Sequence, residues 1–174
     1  MSKLPVPLYI FDLDGTLADL KHRRHHVERP VCHRCGSVKN ACNHTHQRPA
    51  FKPNWDAFHA ECVNDKPILP VLYTLVALAN AGNEVWIWSG RKETVELETR
   101  AWLSAHLPDN TFTQLRMRPA DNNIADNTLK EFWVLQMTKA DRDRLVMVFD
   151  DRNRVVDMWR SHGIVCAQVA PGDF

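Results

Sequence analysis

Three stretches of this chain run through unbroken apolar, β-favouring residues and then stop at polar groups. Leu8-Tyr9-Ile10-Phe11 stops at Asp12, Val85-Trp86-Ile87-Trp88 at Ser89-Gly90-Arg91, and Leu145-Val146-Met147-Val148-Phe149 at Asp150-Asp151-Arg152. A strand with one wet face alternates polar and apolar residues, whereas a run that is apolar throughout is buried on both faces, as in a parallel sheet covered by helices. Weaker strand signals lie at Gln114–Met117, ending before Pro119, and at Ile164–Ala167. Helical spacing separates the strands. It appears in Val71, Leu72, Leu75, Val76 and Ala79 (closed by Gly82), over 92–106, over 126–138 through Leu129, Phe132, Trp133 and Gln136, and over 153–161, closed by Gly163. This alternation predicts an α/β fold, a Rossmann-like doubly wound parallel sheet of about five strands.

Open sheets of this kind bind ligands beyond the carboxyl ends of their strands. Asp12, Asp14 and Thr16 follow the first strand, Ser89-Gly90-Arg91 the second and Asp150-Asp151 the fourth, while Lys130 lies near the start of the helix before that fourth strand. Carboxylates gathered in a cleft repel one another and call for a counter-charge. Mg²⁺, which takes oxygen ligands and a substrate phosphate, supplies it. Lys130, the Ser89 or Thr16 hydroxyl and backbone N–H groups are suited to hold phosphoryl oxygens. An aspartate in such a field can attack phosphorus, and a second one two residues on can protonate the leaving oxygen and then activate water.

Phe11-Asp12-Leu13-Asp14-Gly15-Thr16-Leu17 resembles motif I of the haloacid-dehalogenase superfamily, and Ser89, Lys130 and Asp150-Asp151 resemble its motifs II, III and IV. Val148–Arg152, Val155–Arg160 and the tail Gln168–Phe174 resemble, more narrowly, the 3′-phosphatase domain of bacteriophage polynucleotide kinase-phosphatases. The resemblance covers residues 6–26 and 67–174 and implies a role for each matched position. Asp12 would be the nucleophile and Asp14 the general acid/base. Mg²⁺ would be held by the Asp12 carboxylate, the Asp14 backbone carbonyl and one acid of the pair Asp150-Asp151. Ser89, Gly90 and Lys130 would surround the phosphoryl group, Arg23 and Arg91 would contact substrate phosphate, and Asp126 would orient Lys130. No Gly-x4-Gly-Lys-Ser/Thr loop is present, so the expectation is a free-standing phosphatase without the kinase half.

Residues 19–66 depart from that pattern and are expected to form a cap inserted into a core of residues 1–18 and 67–174. This segment holds seven of the nine histidines, and residues 21–52 carry eight basic side chains against one acid, within a chain whose net charge is only +1. Cys32-His33-Arg34-Cys35, followed by Cys42, His44 and His46, reads as a structural Zn²⁺ site of Cys32, Cys35, Cys42 and either His46 or His44. The metal would supply folding free energy to an insert with few apolar residues. Cys62 and Cys166 stand apart as buried thiols. The odd cysteine count, with no secretory signal, fits a reducing cytoplasm, that of the host cell if the chain is phage-encoded. The longest apolar run falls well short of the ~20 residues that cross a bilayer.

The expected substrate is a nucleic-acid 3′-phosphate end, or alternatively a free nucleoside monophosphate, with Phe51, Trp55 or Phe58 available for base stacking. No protein partner is evident. A zinc-containing nucleic-acid-binding module with a dead rim is the more distant alternative, and the intact Asp12, Asp14, Lys130 and Asp150 count against it. A phosphorylated receiver domain would place its acids in a different order along the strands.

Overall fold

A computed structural model of the protein describes residues 5–28 and 51–172. Its centre is a five-stranded sheet formed by β1 (Leu8–Phe11), β4 (Glu84–Lys92), β5 (Gln114–Arg118), β6 (Leu145–Asp150) and β7 (Cys166–Gln168). The spatial order is β5-β4-β1-β6-β7, and every neighbouring pair is parallel. Two short strands, β2 (Ala18–Asp19) and β3 (Lys66–Pro67), pair antiparallel outside that sheet. They close the base of the segment between them.

Side chains alternate across the sheet and build two cores. Leu8, Ile10, Trp86, Trp88 and Val148 face α4 (Asp126–Leu135) and α6 (Asn153–Ser161), packing on Leu129, Trp133, Val155 and Trp159. Phe11, Val85 and Ile87 face α2 (Leu69–Asn80) and α3 (Glu96–His106), packing on Leu72, Leu75, Trp102 and Leu103. Phe11 and Phe149 lie flat against each other, with ring centroids 4.3 Å apart and planes 4° from parallel. These rings directly precede Asp12 and Asp150.

Several elements differ from the sequence reading. β4 runs through the polar Ser89-Gly90-Arg91 to Lys92, because an irregularity after Trp88 lets Lys92 pair with Arg118. The helix expected over 126–138 stops at Leu135, and a separate α5 (Lys139–Arg144) follows, capped by the Thr138 hydroxyl, which accepts from the Asp141 N–H at 3.1 Å. The last strand starts at Cys166 rather than Ile164.

Within 19–66, the described residues form a 3-10 turn at Lys21–His26, α1 (Trp55–Ala60) and a second 3-10 turn at Glu61–Asn64. Phe58 is buried there with the Arg23 guanidinium 4.1 Å above its ring, so these turns pack around a cation–π contact. Cys62 and Cys166 are free and buried. Among the described residues, no helix is long and apolar enough to cross a membrane.

Candidate active site

The end of β1 places Asp12 between its neighbours: the Asp12 N–H donates to the Phe149 carbonyl at 2.9 Å, extending the sheet ladder by one residue. Three residues later Gly15 adopts φ +91°, which lets the chain turn back sharply, and its N–H donates to Ala18 O at 2.8 Å. A Cβ at Gly15 would lie 2.0 Å from Asp151 Oδ2, so only glycine lets that carboxylate approach the turn.

Asp12, Asp150 and Asp151 are all buried, with one oxygen from each lying within 4.8 Å of the others. Lys130, projecting from the first turns of α4, donates to Asp12 Oδ1 at 2.6 Å and to Asp150 Oδ2 at 2.8 Å. Asp126 sits one turn earlier, its Oδ2 3.6 Å from Lys130 Nζ. Burial pushes the Asp12 carboxyl well above its ordinary range; Lys130 opposes that shift, and the neighbouring Asp150 and Asp151 charges add to it. Burial likewise lifts Asp151 to about 6, with Asp150 reinforcing it. Lys130, by contrast, is held firmly protonated by the acids despite its burial. One ammonium among three carboxylates leaves surplus negative charge, and this oxygen-rich set fits a hard divalent cation. The Thr16 hydroxyl beside it is buried with no hydrogen-bond partner among the described residues.

Behind this floor lies a second ionic network. Arg23 and Arg91 are fully buried, and both hold the same Asp14 oxygen: Arg23 Nη2 at 2.7 Å, Arg91 Nε at 2.8 Å and Arg91 Nη2 at 2.6 Å from Oδ1. Their other nitrogens converge on Asp65. Arg23 Nε lies 2.7 Å from Oδ1 and Nη2 2.7 Å from Oδ2, and Arg91 Nη2 lies 2.5 Å from Oδ2. Trp102 Nε1–H donates to the Asp65 backbone carbonyl at 2.7 Å, fixing that corner to α3. Burial alone would raise the Asp14 pKa, but Arg91 and Arg23 outweigh it and hold the carboxyl at about 2.

His59 packs beside this network with Nδ1 buried and unpartnered among the described residues. Burial is the main reason its pKa falls from 6.5 to about 4; Asp14 opposes the shift, and Arg23 and Arg91 reinforce it. The unfolded chain therefore binds this proton in a range where the folded protein does not. Stability present above pH 6.5 is lost as the pH falls through 4, by up to about 3 kcal/mol. His59→Phe is expected to flatten the acid limb of the Tm–pH curve between those values; a curve parallel to that of the parent would exclude this role.

A cavity of about 510 Å³ opens above the acids. Asp12, Asp14, Gly90, Asp126, Asp150 and Asp151 line it, bringing together residues from three strand ends and one helix start. Thr16, Ser89 and Lys130 are buried beneath its surface, as are Arg23 and Arg91, which were expected to meet substrate directly. Ser89 Oγ accepts from the Arg91 N–H at 3.2 Å. Several lining residues escaped the sequence reading, Arg118 and His59 among them. Arg118 donates to Gly90 O at 2.9 Å, Ile124 O at 2.7 Å and Asp126 Oδ1 at 3.1 Å, and His59 comes from α1. The exposed side chains of Trp55 and Ile124 also line the cavity.

The C-terminal segment bears on the same place. Gln168 Nε2 donates to Asp151 O at 2.8 Å, Asn153 N–H to Gly172 O at 3.0 Å, and a Cβ on Gly172 would fall 2.1 Å from Asp151 O. The tail thus braces the loop that carries the acid pair. Cys32, Cys35, Cys42, His44 and His46 lie outside the described residues.

Comparisons with known proteins bear on the family and the fold. The family profile of the polynucleotide kinase PNKP phosphatase domain matches residues 41–174. A solved structure of a Pnkp1/Rnl/Hen1 complex is 27% identical with a TM-score of 0.71, covering 99% of this chain and 49% of that one. A second, of the Pnkp1/Rnl/Hen1 RNA repair complex, is 25% identical with a TM-score of 0.66, covering 97% and 44% respectively. The chain therefore spans about half the length of these relatives or a little less. A haloacid dehalogenase-like hydrolase from Streptococcus pneumoniae shares the fold at 13% identity and a TM-score of 0.54, over 94% of this chain and 84% of that one. No curated protein matches the sequence at a significant level.

Proposed function

Since the chain belongs to the PNKP phosphatase-domain family of haloacid-dehalogenase-superfamily phosphatases, we propose that it removes phosphate from nucleic-acid 3′ ends. The observation that carries this reading is Asp12, buried at the carboxyl end of β1 and gripped at Oδ1 by Lys130 beside Asp150.

In the first step an Asp12 oxygen attacks phosphorus and the bond to the departing alcohol oxygen breaks. That oxygen takes a proton from Asp14, and phosphate is left esterified to Asp12. In the second step water attacks the aspartyl-phosphate and gives its proton to Asp14, inorganic phosphate departs and Asp12 is restored. With a pKa of about 2 in the resting protein, Asp14 is suited as it stands to the base role. The acid role requires that it acquire a proton and loosen from Arg23 or Arg91 once substrate arrives. Lys130 offsets charge on Asp12, and the Ser89 and Thr16 hydroxyls, buried beneath the cavity, would have to be uncovered to meet the phosphoryl group. Mg²⁺, held by Asp12, the Asp14 backbone carbonyl and the Asp150-Asp151 pair, would neutralise charge on the phosphoryl oxygens.

A polynucleotide end is favoured over a free nucleotide by the basic side chains of Arg24, Lys92 and Arg154 around the cavity, with Trp55 placed for a base to stack on. The relative solved as an RNA repair complex supports the same choice. Against matched panels, a 3′-phosphorylated oligonucleotide should be hydrolysed with the higher kcat/KM, and its advantage should shrink as salt rises. Hydrolysis of mononucleotides alone would overturn the polynucleotide reading and leave a nucleotidase.

This reading also assigns residues 19–66 to a cap on a core of 1–18 and 67–174. Cys32, Cys35, Cys42 and His46 (or His44) would bind a structural Zn²⁺ there. Thiolate charge-transfer bands in the cobalt-substituted protein test that assignment.

A further inference from the structure

The histidines of the Lys21–His26 turn form a cluster separate from the acidic floor. His25 and His26 stack with ring centroids 3.9 Å apart. Glu61, the first residue of the second 3-10 turn, joins them across the fold: one ligand atom from each of His25, His26 and Glu61 lies within 4.8 Å of the others. His26 Nε2 is 2.9 Å from Glu61 Oε1, and the other Glu61 oxygen is 3.8 Å from His22 Nδ1. His25 Nδ1 is 2.9 Å from the His22 backbone carbonyl. A carbonyl can only accept, so Nδ1 carries the hydrogen and the neutral ring presents its lone pair at Nε2. Such a backbone contact is how ligating histidines are usually oriented.

We propose that His25, His26 and Glu61 form a binding site for a divalent transition cation of the zinc class, distinct from the magnesium-type floor. Imidazole nitrogens select such a metal over Mg²⁺, which prefers oxygen ligands. Three protein ligands leave a coordination position for water. An ion-paired His26 and Glu61 would account for the 2.9 Å contact alone, but not for the second ring stacked beside it with its tautomer already set. The site ties together two turns with a shared task. One carries Arg23 and the other leads into Asp65, the two residues that meet at 2.7 Å behind Asp14. A bound cation would therefore fix the spacing of these turns.

The test uses the whole chain, stripped by chelation and titrated with Co²⁺ in excess Mg²⁺, so that the acidic floor is already filled. A Co²⁺ site with ligand-field bands and no thiolate charge transfer is expected. His25→Ala and Glu61→Gln should each weaken it by at least about tenfold, with far-ultraviolet circular dichroism unchanged. Both substitutions fall at the surface of short turns, so their folding is readily checked. If the parent shows only thiolate-type bands, or no bands, the site does not exist. If both variants bind as tightly as the parent, these residues are not its ligands. The test involves no turnover, so its outcome is independent of the phosphatase reading.

Discussion

Asp12→Asn should lower turnover by at least about 10⁴-fold, the scale on which loss of a covalent nucleophile is felt, while the protein remains folded. An amide keeps the shape of the side chain at the end of β1 but cannot form the phosphoester. Lys130 retains Asp150 at 2.8 Å and Asp126 at 3.6 Å, so removing the Asp12 charge does not strand the ammonium. It also removes a charge that burial disfavours and that Asp150 and Asp151 repel. The Tm without divalent cations should accordingly shift by only a few degrees, roughly 1 kcal/mol in either direction. Single-turnover assays with a 3′-phosphorylated substrate, alongside a melting curve, would check both halves. Undiminished turnover in the variant would remove Asp12 from the chemistry.

The largest effect on stability is expected at Asp65. Truncation to alanine leaves Arg23 and Arg91, both fully buried, with Asp14 as their remaining carboxylate among the described residues. Breaking a buried ion-pair network from one side costs about 3–5 kcal/mol. For a chain of this size that is a fall in Tm on the order of 10 °C. Asp65→Asn, which keeps an acceptor oxygen for one guanidinium, should recover part of the loss. Activity should fall as well in whatever fraction of Asp65→Ala remains folded, because both arginines would then bear on Asp14 alone and hold its carboxyl further from protonation. A melting temperature within about 2 °C of the parent would show that the network carries no such energy.

How much of this was legible in advance follows from how local each signal is. The strand Leu8–Phe11 and the strand ending at Asp150 could be read directly, because burial on both faces leaves an uninterrupted apolar run. The acids at their ends followed from the strands. Lys130 could be placed because helical spacing located it on the first turns of α4, which faces those acids. α5 is polar and short, so hydrophobic spacing missed it, although the Thr138-x-x-Asp141 cap was available as a cue.

Arg23 and Arg91 were recognised as residues of the site, yet their pairing with Asp14 and Asp65 was not. Asp65 lies 42 positions from Arg23 and 26 from Arg91, and nothing in its own neighbourhood marks it as the acid that turns both guanidiniums away from the cavity. Long-range charge pairing has no periodicity to betray it. The same holds for His59 and Arg118, whose relevance appears only once the fold brings α1 to the cavity and Arg118 to the Gly90 carbonyl.

The flat pair of Phe11 and Phe149 has a consequence for how this rim can change. Asp12 and Asp150 are each the next residue after one of those rings, so the gap between the carboxylates is inherited from hydrocarbon packing one layer below. Substituting either phenylalanine with a smaller or branched residue would retune the spacing of the acids, and with it their appetite for a cation, without altering a single polar atom. Drift in the oily interior and drift in enzymatic behaviour are, at this one level of the sheet, the same event.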